Sequence, residues 1–118
     1  MARPHENLEA WREAIHMVTV VYGATRTFPK EEVFGLTSQM RRAAISIPSN
    51  VAEGAARSSR KEFAHFLNVA KGSLSELETQ LLISVKLGYL PSNHEIFQLS
   101  DHVARLLTGL HRKAAGTR

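Results

Sequence analysis

Two segments carry the residue types and spacing of a metal site. Glu13-Ala14-Ile15-His16 and Glu62-Phe63-Ala64-His65 both match the Glu-x-x-His pattern that puts a carboxylate and an imidazole one turn apart on two helices of a di-iron bundle. Glu53 and Glu95 stand where such bundles carry single glutamates on the other two helices. At the helical step of about 100° per residue, however, Glu13 and His16 fall roughly 130° or more from the apolar seam Leu8, Trp11, Ile15, Val18 and Tyr22. Glu62 and His65 likewise fall outside the seam that begins at Phe63. Ligands of that class point inward, so both motifs are expected on solvated faces, and no metal or other cofactor is implied.

Other chemistries find no better footing. The six histidines, at positions 5, 16, 65, 94, 102 and 111, form neither a His-x-x-x-His nor a His-Glu-x-x-His arrangement. No serine stands in a nucleophile elbow, and the glycines make neither a phosphate loop nor a dinucleotide fingerprint. Glu76 and Glu78 are two apart and so face different sides of a helix. With no cysteine, thiol catalysis, cysteine-ligated zinc and redox switching are removed, and a cytoplasmic home is favoured over a secreted one. A non-enzymatic role follows.

What remains is ordered polar structure. Arg42, Ser46, Ser49, Asn50, Glu53 and Arg57 recur every three or four residues, which gathers them on one side of a helix beside its apolar stripe. Asn50, Glu53 and Arg57, facing Ser73 and Glu76 of the next helix, would make a partly buried hydrogen-bonded network. Networks of that kind more often set pairing and register than perform chemistry, so Asn50, Glu53 and Glu76 are expected to organise an interface, with Glu53 paired to an arginine.

Four helices and no strands must position these groups. The first should begin after Asn7 as N-cap and run to about Arg26, ended by Pro29. The second should start between Glu31 and Leu36 and reach about Ala56, with Leu36, Met40, Ala43, Ala44, Ile47 and Val51 inward. Pro48 lies inside it and should kink it, freeing a carbonyl near Ala44. Capping boxes at Ser59-Arg60-Lys61-Glu62 and Ser92-Asn93-His94-Glu95 open the third and fourth, and Gly88 closes the third. The third turns Phe63, Phe66, Leu67, Ala70, Leu74, Leu77, Leu81 and Val85 to the core, and the fourth Ile96, Leu99, Val103, Leu106, Leu107 and Leu110. Short loops between long helices predict an all-α, antiparallel, up-down-up-down four-helix bundle, one domain over residues 1–118.

A second apolar set lies off these seams: Ile45, Ala52 and Ala56 on the second helix, Val69, Gly72, Ile83 and Leu87 on the third. Either a twisted bundle buries it or a second copy of the chain covers it. Self-association through Ile45, Ala52, Ile83 and Leu87 is the reading taken.

Charge is unevenly placed. The net +4 arises after Asp101, from Arg105, Arg112, Lys113 and Arg118 with no acid, because residues 1–101 hold 11 basic and 11 acidic side chains. Arg57, Arg60 and Lys61 form a second basic cluster at the junction of the central helices. Arg41, Arg42, Arg57, Arg60, Lys61, Arg112 and Lys113 are accordingly the candidate contacts to RNA or DNA. No apolar run approaches the roughly 20 residues of a membrane span, the first residues lack the apolar stretch of a signal peptide, and no membrane role is expected.

Leu36-Thr37-Ser38-Gln39-Met40-Arg41-Arg42-Ala43, Ser46-Ile47-Pro48-Ser49-Asn50-Val51-Ala52-Glu53-Gly54, and the run Ala70-Lys71-Gly72-Ser73-Leu74-Ser75-Glu76-Leu77-Glu78-Thr79 carry a resemblance. With Glu62-Phe63 and Phe66-Leu67 between, the chain resembles the four-helix-bundle proteins related to the 23S ribosomal RNA intervening-sequence protein. The resemblance covers nearly the whole chain, most strongly from Phe28 to Leu90. It implies an antiparallel four-helix subunit in a ring-shaped homopentamer, with no catalytic residues. Some members are encoded within intervening sequences of ribosomal RNA genes. The accessory protein of diversity-generating retroelements, which binds nucleic acid and a reverse transcriptase, is similar to them. Together these features point to a cytoplasmic, non-enzymatic homo-oligomer, a pentamer, that offers a basic surface to RNA or DNA. The alternative is a scaffold or partner-binding oligomer without a nucleic-acid role.

Overall fold

A computed structural model describes residues 3–116. It contains helices α1 (Glu9–Thr25), α2 (Leu36–Ala55), α3 (Arg60–Lys86) and α4 (Ile96–Ala114), with 3-10 turns at Pro4–Asn7 and Lys30–Glu32 and no strand among the described residues. Contacts between neighbouring helices fall in number along one partner as they rise along the other: Met40 with Ser84, Ser46 with Ser73, then Gly54 with Phe66 between α2 and α3. Ser100 with Glu78 and Lys113 with Arg60 order α3 and α4 in the same way. Helices α2 and α3, and likewise α3 and α4, are therefore antiparallel, and a single hydrophobic core runs through all four helices.

The central helices bury the faces their spacing predicts. Met40, Ala43, Ala44, Ile47 and Val51 of α2 meet Leu67, Ala70, Leu74, Leu77 and Leu81 of α3 in the core. Helix α2 runs unbroken through Pro48, whose ring is buried. On the turn beside it, Ser49 Oγ donates to the Ile45 carbonyl and Asn50 Nδ2 to the Ser46 carbonyl, each at 2.8 Å. The Ser59 hydroxyl caps α3 by accepting from the Glu62 amide at 3.1 Å. At the other end Gly88, with φ of 80°, allows the Tyr89 amide to reach the Ser84 carbonyl and the Gly88 amide that of Val85.

Helix α1 departs from expectation in two ways. Asn7 ends a 3-10 turn begun at Pro4, and Leu8 occupies the cap position with no side-chain bond. The core face is Ala10, Ala14, Met17, Val21 and Thr25, one residue round from the predicted Leu8–Tyr22 seam, which leaves Ile15 40% exposed. The small alanines let α1 settle between its neighbours while Leu8, Trp11 and Val18 pack half-buried at the margin of the core. The second capping box does not form either. Glu95 takes the cap position of α4 in helical conformation, and the Ile96 amide donates to His94 Nδ1 at 3.1 Å instead.

The bundle does not cover the second apolar set by twisting. Leu82 and Leu87 are 54% and 53% exposed, and Ile45, Val69 and Ile83 are exposed as well, while Ala52 is half-buried.

Candidate functional site

The seven candidate basic residues fall into two groups at opposite ends of the bundle. At the end where α2 passes into α3 and α4 finishes, Arg60 donates from Nη2 to the Lys113 carbonyl at 2.7 Å, so Arg60, Lys61, Arg112 and Lys113 gather around the C-terminus of α4. The positive charges complement the negative pole of that helix. Arg57, close by, is the exception: it pairs with Glu53 at 2.5 Å, lies 4.0 Å from Glu62, and stacks over Phe66 with its guanidinium 4.9 Å from the ring centre.

Arg41 and Arg42 lie at the other end, where α1 finishes and α2 begins. The Arg41 guanidinium sits 4.4 Å over the Tyr22 ring and donates through Nε to Thr25 Oγ1 at 2.9 Å. Arg26 and Lys30 join them around one cleft. Sequence reading missed both, because the hairpin that folds residues 26–30 back beside α2 is a tertiary feature; the basic residues flanking Phe28 and Pro29 were the available signal.

The polar stripe of α2 divides as well. Ser46 Oγ and Ser73 Oγ lie 2.8 Å apart across the α2–α3 contact, and Asn50 Nδ2 donates to Ser46 Oγ at 3.0 Å. Asn50 thus joins Ser73 through Ser46. Glu53 turns outward to Arg57, and Glu76 lines a separate groove with Gln39, Arg42 and Gln80. The expected network of Asn50, Glu53, Arg57, Ser73 and Glu76 is three unconnected parts, because successive stripe positions drift around α2 and only its middle faces α3.

The loop before α2 holds the most exposed aromatic residue. Phe34 is 96% exposed, yet the segment around it is tied down. Glu32 accepts from the Leu36 amide through Oε1 and from the Tyr89 hydroxyl through Oε2, each at 3.0 Å. A Cβ on Gly35 would sit 2.9 Å from that Oε1, so the glycine leaves the carboxylate its place. The hydrogen bond to Glu32 holds the Tyr89 phenol above its usual pKa, with desolvation and the charges of Glu32 and Glu31 acting in the same direction. Nothing in the sequence pattern singled out Phe34.

Of the residues in the Glu-x-x-His motifs and their proposed companions, His16, Glu53, Glu62, His65 and Glu95 are exposed and Glu13 is half-buried. Among the described residues no group of three or more His, Asp or Glu side chains is placed to hold a metal ion. Among the described residues no helix is long and apolar enough to cross a membrane. The family profile described as "23S rRNA-intervening sequence protein" matches residues 6–109. No curated protein matches the chain.

Proposed function

The chain belongs to the 23S rRNA-intervening sequence protein family, and on that premise we propose that it is a cytoplasmic, non-enzymatic homo-oligomer, a pentamer, whose basic ends contact the phosphate backbone of RNA or DNA. The observation that carries this reading is the lack of neutralising carboxylates. Of the seven candidate cations only Arg57 has an Asp or Glu oxygen within 4.0 Å among the described residues. Arg60, Lys61, Arg112 and Lys113 at one end, with Arg41 and Arg42 at the other, keep their charge for an external anion. The exposed apolar residues Ile45, Ile83 and Leu87 support assembly of copies through α2 and α3. Five copies of +4 would carry +20, and repetition around a ring turns weak phosphate contacts into avidity. Arginine and lysine on helix surfaces grip phosphates without reading bases, so binding would tolerate sequence changes.

A scaffold without a nucleic-acid role is the second reading, supported by Phe34, an exposed aromatic side chain suited to an apolar partner rather than to a phosphate. Titration of labelled RNA and duplex DNA at about 50 and 200 mM salt, with light scattering on the same sample, separates the two. The first reading expects an oligomer whose affinity drops by orders of magnitude between those salts. An intact oligomer that binds neither polymer at the lower salt leaves the scaffold reading.

A further inference from the structure

We propose that the cleft between the end of α1 and the start of α2 is a binding site for a phosphomonoester carried on a small organic group, of the nucleoside 5′-monophosphate kind. The cleft encloses about 490 Å³, within the usual size of small-ligand sites. Four cations line it, Arg26, Lys30, Arg41 and Arg42, and no carboxylate does. Two acids adjoin the lining along the chain and neither is part of it: Glu32 has its two oxygens engaged by the Leu36 amide and the Tyr89 hydroxyl, and Glu31 is exposed.

Thr37 supplies an independent observation. The residue lines the cleft and is only 6% exposed, and its Oγ1 is fully buried with no hydrogen-bond partner. A buried hydroxyl without a partner is costly and rare, and a threonine in a helix ordinarily bonds a carbonyl of the preceding turn. Thr37 is also the second residue of α2, in the first turn where backbone amides lack intrahelical acceptors; the Leu36 amide there is taken by the Glu32 carboxylate, and the amides that follow it lie at the positive pole of the helix. An oxyanion in the cleft would meet the flanking guanidinium groups and the first-turn amides of α2 that Glu32 leaves free, and would bond the Thr37 hydroxyl by drawing it out of the wall in which it is buried.

Arg41 is held ready for this. Its Nε bond to Thr25 and its stacking on Tyr22 fix the guanidinium plane and use one of its five N–H donors. Val33 and Ile45, both exposed, form an apolar part of the same wall, where the organic portion of the ligand would lie. The lining comes from one copy of the chain; it shares Ile45 with the face proposed to pack against another copy, and Arg41 and Arg42 with the proposed polynucleotide contacts.

The test is an NMR titration of the full-length protein with inorganic phosphate, adenosine 5′-monophosphate and adenosine, alongside Thr37→Val and Arg41→Gln. Saturable shifts with the two phosphate probes, confined to the amides around Thr25, Lys30, Thr37 and Arg41 and absent with adenosine, are expected. Thr37→Val should keep the melting temperature, since it removes a hydroxyl that bonds nothing, and should weaken nucleotide binding several-fold. Arg41→Gln should weaken it about tenfold or more, the effect of losing a charge-assisted hydrogen bond. Tighter binding of the mononucleotide than of a 5′-phosphorylated trinucleotide assigns the site to a free nucleotide, and the reverse order to a strand end; both keep the phosphomonoester. Adenosine binding as well as its phosphate, shifts of equal size at the Arg60–Lys113 end, or unchanged affinity in Thr37→Val would each overturn the proposal. RNA binding by the wild type is measured separately, so loss of either result leaves the other standing.

Discussion

Gly54 of α2 and Phe66 of α3 are so close that a Cβ on Gly54 would sit 2.8 Å from the Phe66 Cβ, with Phe63 Cδ1 at 2.9 Å and the Phe63 carbonyl oxygen at 3.3 Å. Two of these atoms belong to the backbone or sit next to it, so they cannot swing aside as the tip of a flexible side chain would. Gly54→Ala should therefore destabilise the bundle: overpacking of about 1–3 kcal/mol outweighs the roughly 0.5–1 kcal/mol that alanine adds to a helix. Gly72 in α3 has nothing within 4 Å of its added Cβ, so Gly72→Ala should raise the melting temperature. Thermal denaturation of the two variants checks both signs. Failure of Gly72→Ala to stabilise would show that another copy packs on that face.

The Ser46–Ser73 hydroxyl pair should couple α2 to α3. A double-mutant cycle with Ser46→Ala and Ser73→Ala is expected to give a coupling energy of about 0.5–1.5 kcal/mol in urea denaturation. Ser46→Ala should cost more than Ser73→Ala, because it also takes a partner from Asn50. Equal costs with no coupling would mean that water replaces the bond.

Glu53→Gln should cost the isolated subunit little. Its pair with Arg57 is an exposed i,i+4 contact, with the side chains 41% and 50% accessible, and such pairs contribute about 0.3–0.5 kcal/mol. A loss of about 1–3 kcal/mol, as for a charge-assisted bond out of water, is expected only if assembly desolvates the pair. Comparing melting temperatures at low and high protein concentration distinguishes the two cases.

Ile83→Lys tests the apolar face of α3. On a free surface the change should leave stability within about 0.5 kcal/mol. If copies pack there, the same change buries a lysine and should shift the light-scattering mass toward the monomer while the far-UV spectrum stays helical. An unchanged oligomer would move the contact to another face.

The Tyr89–Glu32 contact should make stability fall at alkaline pH. The folded phenol titrates above the ordinary value of 10.0, so its contribution is complete below that value and is lost as pH rises through the folded pKa. Tyr89→Phe removes the contribution at every pH. The melting-temperature gap between wild type and variant should thus be constant from about pH 7 to 9 and narrow above 10.

Sequence spacing located the helices well and their partners less well. The inward faces of α2 and α3 are legible because large apolar residues such as Met40, Ile47, Leu74 and Leu81 mark them. On α1 the inward line begins with Ala10 and Ala14, and spacing weighted by size pointed one position away, to Ile15. The Asn7 and Ser92–Glu95 caps failed where a proline had already started a turn, at Pro4 and Pro91, so the polar residue was not at the boundary. The two basic ends and the Thr37 cleft depend on which helices meet, and that is written in no local pattern. Arg41 and Arg42 could be named from sequence; that Arg26 and Lys30 join them could not.

Phe34 stands in solvent at the crest of a segment that is already immobilised. The Glu32, Val33 and Gly35 amides bond back to Pro29, Lys30 and Glu32, and the Glu32 carboxylate anchors the whole turn to α2 and to Tyr89. A partner meeting this ring would not have to freeze the backbone that carries it, because that ordering cost is incurred on folding. Association at this point should then be limited by encounter and orientation rather than by loop rearrangement. Cutting the Glu32 anchor would lower the association rate before it removed a single contact made by Phe34 itself.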